Sequence, residues 1–294
     1  MQISFLIVTK NRAEALAFTL NKLKLMLDLS IHEVLVGVDG CKETEAIIQD
    51  FNWVNWTVIE ESISASPARN LLYKKAIGEI FIGLDDDAHP ISTDFIKRIE
   101  ESYSENENLG IIAFQEVRGI FKSDTEALEQ SQSREAYLTN DFVGCGFSIK
   151  KTVYNKTEGF PVWIDIYGEE PALALEVLNL DYTILYEPEI KVNHRVDVEK
   201  RKLQGRNYFR FEKQLQNTLR YFLVYYPNPI LSILKALLHN FKKYAIVDWN
   251  YFKSFIKVCF LIIFKLPKIL KYRKPVKKDI IKLKQELKPL NYSA

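Results

Sequence analysis

The chain has 294 residues, 47% hydrophobic and 27% charged, which is enough to bury a sizeable core and too apolar for global disorder. Its three cysteines (Cys41, Cys145, Cys259) stand far apart with no CxxC spacing, which excludes a disulfide framework and a zinc ribbon and fits a reducing compartment. The net charge of +2 hides a split: residues 235–294 carry 15 Lys and Arg against 3 Asp and Glu, while residues 1–234 carry 25 against 35, an acidic body with a basic tail and not the footprint of a nucleic-acid binder.

ISFLIV (3–8) is continuously apolar, as a parallel strand buried on both faces must be. Leu16, Leu20, Leu23 and Leu27 follow at helical spacing. EVLVGV (33–38) reads as the second strand, ending at Asp39-Gly40. A helix near 43–51 and a strand at WTVIE (56–60) come next. Ser66-Pro67 reads as N-cap and first turn of a helix through about Ile77. EIFIGL (79–84) is a strand that ends at Asp85-Asp86-Asp87. A helix near 93–103 leads to the strand LGIIAF (109–114). This rhythm predicts an open, mostly parallel, Rossmann-like α/β sheet with helices on both faces, and ligands outside the carboxyl ends of its strands. Segment 118–140 is polar and reads as loop or short helix. DFVGCGFSIKK (141–151) is a tight backbone passage into a strand. EEPALALEVLN (169–179) is a helix, and YTILYEP (182–188) a strand with a proline stop. From about 206 the pattern is helical, aromatic and basic.

Three consecutive carboxylates at the end of a buried strand repel one another unless a cation or solvent offsets them. Carboxylate oxygens suit Mg²⁺ or Mn²⁺, which bind one or two such groups plus phosphate oxygens. Asp39, at the end of the second strand, can accept from a ribose hydroxyl or a base N–H, or simply form an Asp-Gly turn. Arg69, at a helix start, suits a phosphate. Glu169 and Glu170 open a helix, where the macrodipole favours acids in any protein. Cys145 has no activating partner in the sequence and reads as a packing residue.

Taken in order, IVTKNR, VGVDG, SPARN…GEIFIGLDDD, FVGCGFSIKK…EGFP, GEEPALALE and VNHR resemble the family 2 glycosyltransferases of the GT-A fold over about residues 1–200. Two departures stand out: one Asp precedes Gly40 where many relatives have two, and the acidic pair is Glu-Glu where many have Glu-Asp. The resemblance implies transfer of a sugar from a nucleotide-diphosphate sugar to a hydroxyl of a glycan or lipid-linked acceptor, inverting and assisted by Mn²⁺ or Mg²⁺, in bacterial cell-surface polysaccharide assembly. It implies nucleotide-sugar contacts at Thr9, Asn11, Arg12, Asp39, Arg69, Asp85 and Asp86, and metal ligation at Asp87 and His194. Glu170 takes the place of the catalytic base, with Glu169 as the next choice. Gly144 and Gly146 are expected to let an acceptor approach the backbone, and Trp163 and Tyr167 to stack on a sugar or pack in the core. Residues 1–205 form the catalytic domain on this reading, with a donor half (1–116) and an acceptor half (117–205), followed by a helical region, 206–294.

Two other readings compete: a nucleotidyltransferase, disfavoured because TKNRAEA lacks a glycine-rich phosphate loop, and a non-catalytic nucleotide-sugar or glycan binder on the same fold. GxGxxG is absent after the first strand, which disfavours a dinucleotide oxidoreductase. The first residues lack a signal peptide's basic start, and no apolar run reaches the ~18 residues of a spanning helix. VCFLIIF (258–264), flanked by lysines, and KYRKPVKKD (271–279) instead suit an anionic membrane surface. A cytoplasmic protein peripheral to the inner face of the cell membrane is the expectation.

Overall fold

The computed structural model describes residues 1–132, 134–198, 203 and 205–290. Strand β1 (Ile3–Thr9) lies between β2 (Glu33–Asp39) and β4 (Ile80–Asp85), and β3 (Asn55–Ile59) extends the sheet beyond β2; all four are parallel. Beyond β4 the sheet is mixed. β8 (Gly146–Lys150) runs antiparallel to both β4 and β6 (Leu109–Arg118), and β6 pairs in parallel with β9 (Thr183–His194). Two short strands, β5 (Ala88–Pro90) and β7 (Tyr137–Leu138), run antiparallel to β9 and bring the sheet to nine strands among the described residues.

Side chains alternate across β1, and the core divides accordingly. Phe5 and Ile7 face Leu16, Leu20 and Leu23 of α1 (Ala13–Met26) and Phe95 and Ile99 of α4 (Phe95–Glu105). Leu6 lies on the other face, with Leu72 of α3 (Ala65–Tyr73) and Leu173 and Val177 of α7 (Glu169–Asn179). The shorter helices are α2 (Lys42–Glu45), α5 (Asp124–Glu129) and α6 (Lys151–Tyr154).

Several boundaries differ from the sequence reading, each for a local reason. α3 starts at Ala65, not after Ser66, because the Ser66 hydroxyl donates to the Pro161 carbonyl instead of capping the helix. The helix expected near 43–51 is α2 followed by a 3₁₀ turn at Ile48–Asp50. β9 does not stop at Pro188. Its register against β6 jumps from Phe114↔Glu187 to Gln115↔Lys191, so the proline sits in a bulge where no ladder N–H is required.

The C-terminal helices are α8 (Tyr208–Tyr225), α9 (Ile230–Asn240), α10 (Trp249–Leu270) and α11 (Lys278–Glu286). Tyr221, Val224 and Tyr225 of α8 join the core that contains α7, and Phe255 and Val258 of α10 pack on Phe211, Leu215 and Leu219 of α8. A strap follows α10. Val276 donates its N–H to the Tyr225 carbonyl, and Asn140 donates its side-chain amide to the Lys284 and Leu287 carbonyls. α9 buries no residue. Among the described residues no helix is long and apolar enough to cross a membrane.

Candidate active site

The loops that follow β1, β2 and β4 meet at the carboxyl edge of the parallel strands, where the Asp85–Asp87 run leaves β4. Asp86 turns inward. Its carboxylate accepts from the Thr9 hydroxyl (2.8 Å) and from Arg12 (2.7 Å), and its carbonyl from the Thr19 hydroxyl (2.7 Å). Burial raises its pKa to about 6 against the pull of Arg12. Thr9 and Asp86 therefore bind each other and tie the first loop to the acidic one.

Asp87 is 3% exposed and sits between two cations, Arg12 Nη2 at 2.9 Å and His194 Nε2 at 3.2 Å. Burial raises its pKa, but His194 and Arg12 outweigh that and hold it at about 2. Neither carboxylate oxygen makes a hydrogen bond of good geometry, although both are buried. The far nitrogen of His194, Nδ1, is 2.5 Å from Glu116 Oε1. Burial disfavours the imidazolium, yet Cys145, Asp87 and Glu116 around it prevail and raise its pKa. Donor atoms of Asp85, Asp87 and His194 lie within 4.8 Å of one another. Two carboxylates, and an imidazole once it releases the proton that its acidic neighbours favour, fit a hard or borderline divalent ion such as Mg²⁺ or Mn²⁺, and the Asp87 oxygens, buried and ion-paired but without a well-directed hydrogen bond, are open to one. Glu116, Cys145 and His194 form a second close group. Burial pushes the Cys145 thiol up to about 12, and a soft sulfur suits Mg²⁺ or Mn²⁺ less well than the carboxylates of the first group.

Arg69 links this cluster to the acids of α7. Its Nη2 is 2.6 Å from Asp85, and its Nη1 is 3.1 Å from Glu169 and 3.5 Å from Glu170. Glu169 is buried and its Oε2 has no partner; Glu170 is a fifth exposed. Burial raises the pKa of both, Glu169 adds repulsion on Glu170, and Arg69 opposes the rise. Gly144 makes room for this group. A Cβ there would stand 2.4 Å from Glu170 Oε1 and 3.1 Å from Arg69 Nη2.

Other sequence candidates lie elsewhere. Asp39 accepts from the Ser62 hydroxyl (2.7 Å) and from the Ile63 and Ser64 N–H groups (2.7 and 3.1 Å), which fixes the turn into α3. Gly40 serves the same turn. It has φ +62, and a Cβ would stand 2.4 Å from the Ser62 nitrogen. Asn11, exposed and at φ 57, donates its N–H to Cys41 Sγ. Gly146 does not open onto an acceptor: the space beside it is filled by Val192, 2.9 Å from where a Cβ would stand. Trp163 packs on Tyr225 of α8 and lines a cavity whose lining includes neither Glu169 nor Glu170. The Tyr167 ring is covered by the Arg210 guanidinium at 5.1 Å, and its carbonyl accepts from Asn217. The sequence reading missed Glu116, the partner of His194. The rule that found Asp39 and Asp87, acids at strand ends, would have reached it had β6 been followed past its apolar part to Arg118.

A nine-stranded α/β sheet carrying its acids at the carboxyl edge of the parallel strands is the architecture of the GT-A glycosyltransferases, and solved structures of that class superpose on it. GalNAc-T7, solved with UDP, GalNAc and Mn²⁺, gives a TM-score of 0.62 at 15% identity over 79% of this chain and 49% of the other, so this chain spans about half its length. TarS residues 1–349 from S. aureus, solved with UDP-GlcNAc, gives 0.60 at 14% identity over 88% and 79%. The mannosyltransferase PcManGT from Pyrobaculum calidifontis, solved with GDP-Man and Mn²⁺, gives 0.58 at 15% identity over 96% and 83%. No curated protein matches the sequence. Residues 4–156 match the family model of glycosyl transferase family 2, and the chain belongs to that family.

Proposed function

We propose that the protein transfers a sugar from a nucleotide-diphosphate sugar to a hydroxyl of a glycan or lipid-linked acceptor, with inversion and with a divalent metal, in the assembly of cell-surface polysaccharide. One observation carries this reading: Arg69 joins Asp85, and through it the Asp87–His194 pair, to the Glu169–Glu170 pair at one edge of the sheet. The donor class is supported by family membership and by the UDP- and GDP-sugar complexes of similar folds. Residues 1–116 supply the donor side, 117–205 the acceptor side.

Asp85, Asp87 and His194 would hold Mn²⁺ or Mg²⁺, which supplies Lewis-acid stabilisation of the leaving diphosphate. Arg12 and Arg69 bring positive charge to the same place, and Asn11 and Asp39 stand at the loops where a nucleotide would lie. Glu170 takes the acceptor's proton. Its raised pKa makes it a stronger base than a free carboxylate, and it is more accessible than Glu169. Glu169 positions Arg69. A single base suffices for inversion because the acceptor attacks directly, as in one-step glycoside hydrolysis. Gly144 leaves the backbone open beside the base, and Tyr167 borders the acceptor side. Exposed apolar residues of α9 and α10, interleaved with lysines, would hold the protein on the anionic inner face of the cell membrane.

The test is hydrolysis of a panel of UDP- and GDP-sugars with Mn²⁺ added or chelated. The expected result is metal-dependent turnover of one donor, falling by about 10²–10³-fold in Asp87→Asn. Metal-independent turnover, unchanged in Asp87→Asn, would overturn the metal assignment.

A further inference from the structure

Two cavities meet around Trp163, on the flank formed by α8 and the end of α10. The smaller, about 170 Å³, is lined by Arg220, Lys265 and Lys268 together with Trp163, Ile269 and Tyr272, and among the described residues no acidic side chain lines it. The larger, about 380 Å³, shares Val162, Trp163 and Tyr272 with it and adds Lys74, Lys271 and Lys274. The larger cavity does contain acids, but they are engaged. Glu158 pairs with Lys274 at 2.5 Å, and Glu176 accepts from the Tyr225 hydroxyl at 2.6 Å and from the Glu158 N–H at 2.7 Å.

The three cations of the smaller lobe are not balanced in this way. Among the described residues, none of Arg220, Lys265 and Lys268 has a carboxylate within 4.0 Å. Lys265 and Lys268 are three apart on α10, so they project from the same side of the helix. Arg220 donates through Nη1 to the Trp163 carbonyl (3.0 Å) and to Asn217 Oδ1 (3.3 Å), while its buried Nε–H has no acceptor. The nearest counter-charge felt by Arg220 is Asp165, which lies beyond ion-pair distance of it and is engaged with Lys213, so an anion entering between Arg220 and the two exposed lysines would meet net positive charge. A guanidinium with two ammonium groups is the donor set that recognises phosphate, and the Trp163 and Tyr272 rings beside it offer apolar faces to whatever the phosphate is attached to.

We propose that this groove is a second anion site, separate from the acidic edge of the sheet, which binds the phosphate-ester group of the acceptor or of a membrane lipid. Assigning that phosphate to an acceptor rests on the transfer reading above; the site itself does not. No residue lining the smaller lobe belongs to the Asp85–Asp87, His194 or Glu169–Glu170 groups.

Inorganic phosphate titrated into the full-length protein in chelator, followed by calorimetry, tests the site without any turnover. Saturable binding is expected, weakened at least about tenfold in the Lys265→Gln/Lys268→Gln double variant. Both lysines are exposed on α10, so the variant is expected to fold and to hydrolyse donor like the parent. Absence of saturable binding in the parent, or equal affinity in the variant, overturns the proposal. Two further arms separate the sources. A raised KM for a soluble phosphate-bearing acceptor, with the KM for a phosphate-free one unchanged, assigns the acceptor. Weaker sedimentation with phosphatidylglycerol vesicles assigns the headgroup. If neither moves, the site has no such ligand and the proposal fails. Donor hydrolysis by the parent reports separately on the transferase reading.

Discussion

The α/β body and the helical C-terminal region treat charge and apolar surface in opposite ways. The body draws charge inward. Asp86, Asp87 and Glu169 are each under 5% exposed, and Thr9, Arg12, His194 and Arg69 surround them. The C-terminal region pushes apolar surface outward. Leu234 and Leu238 of α9 and Ile263 and Phe264 of α10 are 55–80% exposed, with lysines between them. Buried charge perturbs proton affinity and can do chemistry. Exposed apolar surface framed by lysines cannot, but it can attach the molecule to something larger.

The sharpest way to break this division is Glu170→Gln, which removes one oxygen's basicity from the body and leaves the helices untouched. Its kcat is expected to fall by about 10²–10⁴-fold, with vesicle binding unchanged. In the parent, kcat should rise with pH as Glu170 loses its proton. The inflection should lie above the ordinary glutamate range, because burial and Glu169 raise that pKa. The rise should be absent in the variant. A variant with the same pH profile would move the base to Glu169. A smaller effect is expected at the other end. Ile263→Ser/Phe264→Ser should cut partition onto anionic vesicles by about tenfold or more, since burying each such side chain is worth up to roughly 1.5–3 kcal/mol, while donor hydrolysis stays level. Unchanged partition in a vesicle-sedimentation assay would mean that this face meets something other than lipid.

The smallest effect is expected at the joint between the two regions. Asp165 pairs with Lys213 of α8 and accepts from Asn217 at 3.4 Å. Burial raises its pKa, but Lys213 and Asn217 bring it below the usual aspartate value. The pairing therefore stabilises the fold above the unfolded-state pKa of 3.8 and is lost as pH falls through the lower folded value. Asp165→Asn should cost about 1 kcal/mol at pH 7 and converge on the parent in acid, as read from urea midpoints across pH.

Local pattern was enough for much of the body. The run 169–179 opens on two acids and continues in the good helix formers Ala, Leu and Glu, and α7 occupies the same residues; the Asp triplet sits where the hydrophobic run of β4 gives out. Long-range partners were not readable. Glu116 and His194 are 78 residues apart, and their contact depends on the register of β6 against β9, including a bulge that no local pattern signals. Trp163 next to the acidic pair suggested a sugar platform, but its partner Tyr225 lies 62 positions downstream, on a helix whose docking surface the sequence did not reveal. Asp39 illustrates an ambiguity that sequence cannot resolve. The same carboxylate suits a nucleobase and a loop, and here it accepts three bonds from residues 62–64.

The strap after α10 changes how truncation results should be read. Its Lys284 and Leu287 carbonyls receive the Asn140 amide, and Lys288 pairs with Thr139, just upstream of Phe142 and Gly144. The tail is thus stitched to the segment that carries Gly144 past Glu170. Shortening the protein from that end would slacken that segment and slow turnover even in a reaction with no membrane present, and a loss of activity on trimming would be easily mistaken for a loss of address.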